Sequence, residues 1–327
     1  MVHKASAADL KLRPSILLAG LLGLECINFG RPLCSGGMTV IPPPFSYHRP
    51  KTLAEAAALV AQHGESGRVL AGGQSLIPLM KLRLATPEHL VDLAGIAELK
   101  GIQRSGSTIV VGAMTTQHEL VRSELIADAV PIVREAALLV ADPQVRYVGT
   151  LGGNVANGDP GNDMPAIMMC LDASYRLYGR WPSPTIKARD FYLGTYATAL
   201  SPGTFVTAIE IPVQPAGHGH AYEKLKRKVG DFATAAAAAV LTLRHGKVAT
   251  SAIALSNLAD RPLLAEDAAA AVVGTALEKG ALDAAAAAAQ RIMAPASDTR
   301  GSSEYRVSVG GVMVQRALKN AFARAKG

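Results

Sequence analysis

The sequence predicts an α+β fold, and three observations predict it. Short strand-like and helix-like segments alternate irregularly, without the long βαβ rhythm of a doubly wound sheet. Glycine-centred turns occupy two places, Ala71–Ser75 directly after a strand-like run and Thr150–Asn154 further on. With 327 residues, 49% of them hydrophobic and 18% charged, the chain has material for two buried cores rather than for disorder.

The first 37 residues stand apart. Ile16–Leu24 is a short apolar run preceded by Lys11 and Arg13, in the manner of a signal-peptide core. A bilayer span needs about 20 apolar residues, and no small-residue cleavage site follows the run. Residues 1–37 therefore read as an N-terminal extension, disordered or not native, with synthesis starting at Met38. Past it, Ile41–Pro44 is proline-rich and extended.

Thr52 and Glu55 form a capping box for a helix over Leu53–His63, which Gly64 closes. Arg68–Ala71 is a strand running into the first glycine turn, and Ile109–Gly112 is another strand. Thr116 with Glu119 caps a second helix, and Pro131 opens a third. Met164, Met168 and Met169 sit on a helix as core residues. Pro212–Gly219 has the character of a linker, which sets an expected division into 38–216 and 217–327. Beyond it, Ala233–Ala239 favours helix by propensity while Val240–Leu243 favours strand, and periodicity does not decide between them. Ala281–Arg291 and Val312–Ala323 are helices.

The net charge of +7 leaves nucleic acid, a membrane surface or an acidic partner open. Scattered basic residues and only 5% aromatics argue against nucleic acid. The three cysteines, Cys26, Cys34 and Cys170, form no CxxC, and an iron–sulfur cluster needs about four thiolates, so the chain cannot hold one by itself. Cys170 reads as buried and inert. His218 and His220, set among glycines, read as loop residues, and no metal site is expected.

The chemistry concentrates in the two glycine turns. Backbone N–H groups that converge on a diphosphate need residues that let the backbone approach and accept positive φ, with Ser or Thr hydroxyls as extra donors. Ala71-Gly72-Gly73-Gln74-Ser75 and Thr150-Leu151-Gly152-Gly153-Asn154 both have that character, and neither is a GxGxxG or a P-loop. Turn chemistry alone explains either segment equally well.

The longer strings AGGQSLIPLMKLRLATPEHLVDL (Ala71–Leu93), GAMTTQ (Gly112–Gln117), ADPQVRYVGTLGGNVANGDPGNDMPA (Ala141–Ala166) and YEKLKRKVGDFATAAAA (Tyr222–Ala238) resemble the FAD-binding medium subunits of molybdenum hydroxylases, and within them the carbon monoxide dehydrogenase branch. The resemblance runs from about Ile41 almost to the C-terminus. It implies an FAD-binding domain of the vanillyl-alcohol-oxidase (PCMH) type followed by a smaller C-terminal α+β domain. It puts the pyrophosphate loops on Ala71–Ser75 and Thr150–Asn154, an acid near the FAD sugars on Asp163, a cofactor-reaching lysine on Lys224 and a flavin-shielding ring on Phe232. Relatives commonly carry His at Gln74 and Tyr at Phe232. The basic cluster Lys224, Lys226, Arg227 and Lys228 reads either as a solvated strand face or, through Lys224, as a charge beside the flavin.

The resemblance further implies an oxidoreductase subunit that carries FAD and no catalytic residue of its own. A large molybdopterin subunit and a small [2Fe–2S] subunit would be its partners in a dimer of heterotrimers, with a quinone-type acceptor. The location it implies is cytoplasmic, including association with the inner membrane face. Alternatives are the flavin subunit of an aromatic or purine hydroxylase, a stand-alone FAD oxidase of the same fold, and a flavin-free scaffold. No acid/base constellation for a stand-alone oxidase is evident in the sequence.

Overall fold

The structure, a computed structural model, describes residues 41–179 and 184–326. The extension expected over 1–37, with Cys26 and Cys34, lies outside the described residues. Ser46–His48 (β1) starts the fold, and Leu53–His63 (α1) follows, with Thr52 Oγ1 accepting from the Glu55 amide. Gly67–Leu70 (β2), Leu76–Lys81 (α2) and His89–Asp92 (β3) complete a parallel sheet of order β1-β3-β2. The residues after β2, which lead into α2, are the first glycine turn.

Ile102–Ser105 (β4) and Thr108–Gly112 (β5) open a second sheet. Five short helices come next: Gln117–Arg122 (α3), Glu124–Ala129 (α4), Pro131–Leu139 (α5), Pro143–Val148 (α6) and Leu151–Ala156 (α7). The starts of two of them were legible. Thr116 and Glu119 form the full reciprocal capping box of α3, and Pro131 takes the first turn of α5, where a missing N–H costs nothing. Asp163–Cys170 (α8) is apolar on every side after its first residue and wholly buried, as a helix enclosed by a sheet and other helices must be. Ser174–Tyr178 (β6), Thr185–Lys187 (β7), Ala188–Phe191 (α9), the small hairpin Tyr192–Gly194 (β8) and Ala197–Thr198 (β9), and Phe205–Pro212 (β10) finish this half. The second sheet runs β4-β5-β10-β6-β7.

Gly219–Leu225 (β11), Ala235–Arg244 (β12), Lys247–Ser256 (β13) and Leu263–Leu264 (β14) make an antiparallel sheet in sequence order. Glu266–Ala270 (α10), Lys279–Ile292 (α11) and Ser303–Arg324 (α12) follow. The alanine run is therefore a strand. Ala235 to Leu241 are buried on both faces, with α8 packed on β12 from one side and α12 from the other. Methyl groups let two helices approach one strand closely, and that packing overrides the helical propensity of alanine. Tyr222, Ala236 and Ala238 share one core with Met164 and Ile167, so the sheet is fused to the helices before it. Among the described residues no helix is long and apolar enough to cross a membrane.

Candidate functional site

A cleft of about 1020 Å³ opens between the β2–α2 turn, α7, the β8–β9 hairpin and the end of β11. That is the upper end of the range for small-ligand sites. Ala71, Gly72, Gly73, Gln74, Ser75, Thr150, Gly152, Gly153, Asn154, Asp163, Lys224 and Phe232 line it, so sequence positions up to 161 residues apart meet at one place. Leu151 does not. Its side chain is fully buried in the core and its N–H donates to Thr115 O at 2.9 Å.

The two turns contribute differently. Gly73 takes φ +70°, a conformation that side chains resist. Among the described residues, the N–H groups of Gly72, Gly73, Gln74 and Ser75 have no acceptor within the chain, which leaves four donors at the cleft wall. In the second turn the donors are spent. Gly152 donates to Ala113 O at 2.8 Å, Gly153 to Thr150 Oγ1 at 3.0 Å, and Asn154 to Thr150 O at 3.0 Å. Positive φ was expected in both turns, but Gly152 and Gly153 lie in the first turn of α7 with ordinary backbone. Gly152 is small because Ala113 packs against it: an added Cβ would sit 2.6 Å from Ala113 O. What the second turn offers the cleft is side chain. Asn154 Oδ1 is buried without a partner.

At the start of α8, both Asp163 oxygens are used. Tyr222 Oη donates to Oδ1 at 2.5 Å and Lys224 Nζ to Oδ2 at 2.9 Å. Lys224 Nζ also reaches Leu139 O at 3.3 Å, and its side chain is 2% exposed. Burial pushes the Asp163 carboxyl above the usual carboxylate range, while the Lys224 charge and the Tyr222 hydrogen bond pull against it. Burial and the Asp163 charge raise the Tyr222 hydroxyl well above its ordinary value. The basic cluster divides here. β11 ends at Leu225, so alternation reaches Lys224 only; Arg227 and Lys228 lie exposed beyond the strand. Cys170 is buried, its thiol pushed up to about 12 by desolvation, which keeps it inert.

Phe232 is half-exposed at the cleft mouth, against the backbone of Gly161, with the Arg300 guanidinium 5.9 Å from its ring centre. Asp231 holds Arg300 at 3.2 Å and Arg227 at 2.9 Å, which fixes the turn that presents the ring.

Two cleft residues went unseen in the sequence. Gln117 is 1% exposed, lines the cleft, and has neither amide atom paired. It closes the GAMTTQ string, where its place beside a capping box gave it a helical role only. Tyr196, at φ +56° on the β8–β9 hairpin, points its hydroxyl to Asp159 Oδ2 at 3.2 Å. Nothing in the local sequence marks it.

A family model described as the FAD binding domain in molybdopterin dehydrogenase matches residues 43–214, and one described as the CO dehydrogenase flavoprotein C-terminal domain matches residues 220–321. Over 287 residues the chain is 60% identical to the carbon monoxide dehydrogenase medium chain of Afipia carboxidovorans, covering 88% of this chain and 100% of that protein. It is 47% identical to the carbon monoxide dehydrogenase medium chain of Hydrogenophaga pseudoflava, over 87% of this chain and 99% of that one. A chain in the crystal structure of the cyanide-inactivated Cu,Mo-CO dehydrogenase matches with a TM-score of 0.86 and 60% identity, covering 87% of this chain and 100% of that chain.

Proposed function

The chain belongs to the FAD-binding medium subunits of the molybdenum hydroxylase family, and we propose that it serves carbon monoxide oxidation by passing electrons from a partner's [2Fe–2S] clusters, through FAD, to a quinone-type acceptor. Identity of 60% to a carbon monoxide dehydrogenase medium chain across the whole of that protein favours this branch over aromatic or purine hydroxylases. In this reading residues 38–216 are the FAD-binding domain and 217–327 the C-terminal domain, joined to a large molybdopterin subunit and a small iron–sulfur subunit.

The single observation that carries the site assignment is the set of unpaired polar groups in the cleft. Among the described residues, the four N–H donors of Gly72–Ser75, Asn154 Oδ1 and both amide atoms of Gln117 have no partner. Asn154 Oδ1 and the Gln117 amide are buried, and a buried polar group left unpaired costs about 1–3 kcal/mol, so a bound polar molecule would offset that cost. The residues fit FAD. The first turn would hold the pyrophosphate on its N–H groups, and Thr150 would orient the second turn through the hydrogen bond it accepts from Gly153. Asp163, which lines the cleft, would lie near the FAD sugars and fixes Lys224 at the cleft wall. Phe232, backed by Arg300, would exclude water from one face of the ring system. Bound FAD supplies the means to accept electrons and release them to a different acceptor.

Gln117→Leu separates the two effects of such a residue. The FAD-free protein gains stability, by about 1–3 kcal/mol for the removed orphan amide, while FAD retention falls. Urea unfolding of the FAD-free chain and cofactor-to-protein ratio after gel filtration measure the two, and a loss of stability would show that Gln117 is paired in solution.

The relay itself is tested by anaerobic mixing with carbon monoxide. Flavin absorbance is expected to bleach in the three-subunit assembly and to stay unchanged when the molybdenum and iron–sulfur subunits are left out. Bleaching of the chain without partners would replace the relay with a stand-alone oxidase.

A further inference from the structure

We propose that His48, His63 and His89 form a binding site for a divalent transition-metal ion of the imidazole-preferring class, with zinc as the reference case. None of the three lines the cleft. The parallel pairing of β1 and β3 sets Ser46 beside His89 and His48 beside Val91, so His48 and His89 project from the same face of the sheet. On the other side of His89 the paired residue is Gly67, which contributes no side chain. The space it leaves is taken by His63 from the last turn of α1: a Cβ at position 67 would lie 2.8 Å from His63 Cβ. Two strands and one helix end thus deliver three imidazoles to one spot.

The rings are close enough to share an ion. His48 Nε2 and His89 Nδ1 are 3.1 Å apart, and one nitrogen from each of the three lies within 4.8 Å of the others. Four-coordinate zinc with bonds of about 2.0–2.1 Å sets its ligand nitrogens about 3.4 Å apart, so the hydrogen-bonded His48–His89 pair is near that spacing, and His63 must turn out of its stack on His89 to bring a nitrogen to the same ion. Among the described residues, the buried His63 Nε2 has no hydrogen-bond partner, which leaves a lone pair or a proton without a destination there. His63 and His89 stack at 3.7 Å with planes 16° apart, and His48 and His63 at 4.9 Å. Three imidazoles are a ligand set for zinc, copper(II) or nickel, with a fourth position left to water. Binding there would pin α1, β1 and β3 together beside the strand that leads into the first glycine turn.

The test uses the full-length chain, freed of metal with a chelator and titrated with Co²⁺, which is then displaced by Zn²⁺. One equivalent should bind with visible d–d bands, and Zn²⁺ should bleach them. His63→Gln and His89→Gln should each weaken Zn²⁺ binding by more than about 10–100-fold, the loss that follows even from removing an outer-shell partner. His218→Gln, in the glycine-flanked turn before β11, should leave binding unchanged. Zinc should also raise the melting temperature of the unsubstituted chain and not that of the His63 or His89 variants. FAD retention equal to that of the unsubstituted protein shows that the variants are folded. Absence of a stoichiometric site overturns the proposal, as does binding that survives both substitutions or is lost with His218→Gln.

Discussion

Gly72→Val is expected to yield a complex that purifies with less than about a tenth of its normal FAD, a weakening of at least 1.4 kcal/mol. The reason lies in what faces that glycine. A Cβ at position 72 would sit 2.3 Å from Val148 O and 2.8 Å from Gly149 Cα, both backbone atoms that cannot swing aside. Gly72 is where the first turn touches the segment that leads into the second. Any side chain there drives the two apart and turns the free N–H groups of Gly73, Gln74 and Ser75 away from the cleft. Gly106→Ala provides the comparison. Gly106 has φ +59° in the β4–β5 turn with open space around its Cβ, so it should cost about 1–2 kcal/mol of stability and no FAD. Cofactor-to-protein ratio and far-UV circular dichroism measure both. Normal FAD content in Gly72→Val would remove the first turn from the assignment.

What could be read from the sequence was local. A hydroxyl followed three residues later by a glutamate marks the helix starts at Thr52 and Thr116, and a first-turn proline marks the one at Pro131. The glycine turns were legible because few residues other than glycine permit such backbone approach. Their division of labour was not: Leu151 and Gly152 donate to Thr115 and Ala113, which follow β5, and Gly153 and Asn154 donate to Thr150 because the second turn begins a helix. The alanine strand was ambiguous for the same reason: its conformation is decided by α8 and α12, one before it and one after it in the chain. Gln117 and Tyr196 carried no signal because their significance is a missing partner and a cleft wall. Both exist only once distant segments meet.

The buried pair at the cleft floor should show the largest stability effect. Lys224→Met leaves the Asp163 carboxyl with Tyr222 as its remaining partner in a site whose side chains are 2% and 7% exposed. Removing one member of a buried pair costs about 3–5 kcal/mol. Asp163→Asn should cost a similar amount by stranding the ammonium, and the double variant should recover much of either loss, because the stranded charge is gone. A pH signature separates this account from simple loss of packing. Burial already raises the Asp163 carboxyl, and Lys224 opposes that rise, so Lys224→Met raises it further. A carboxyl whose folded value is raised favours folding when protonated. The Lys224→Met deficit should therefore be small below the unfolded value of about 3.9 and grow as pH climbs through the raised folded value. In the double variant that growth should vanish, since a carboxamide at this position has no proton to lose. Urea midpoints from acid to mildly alkaline pH measure it. A deficit independent of pH would mean that Lys224 supports the cleft by shape alone, and its role as a charge held beside the flavin would fall with it.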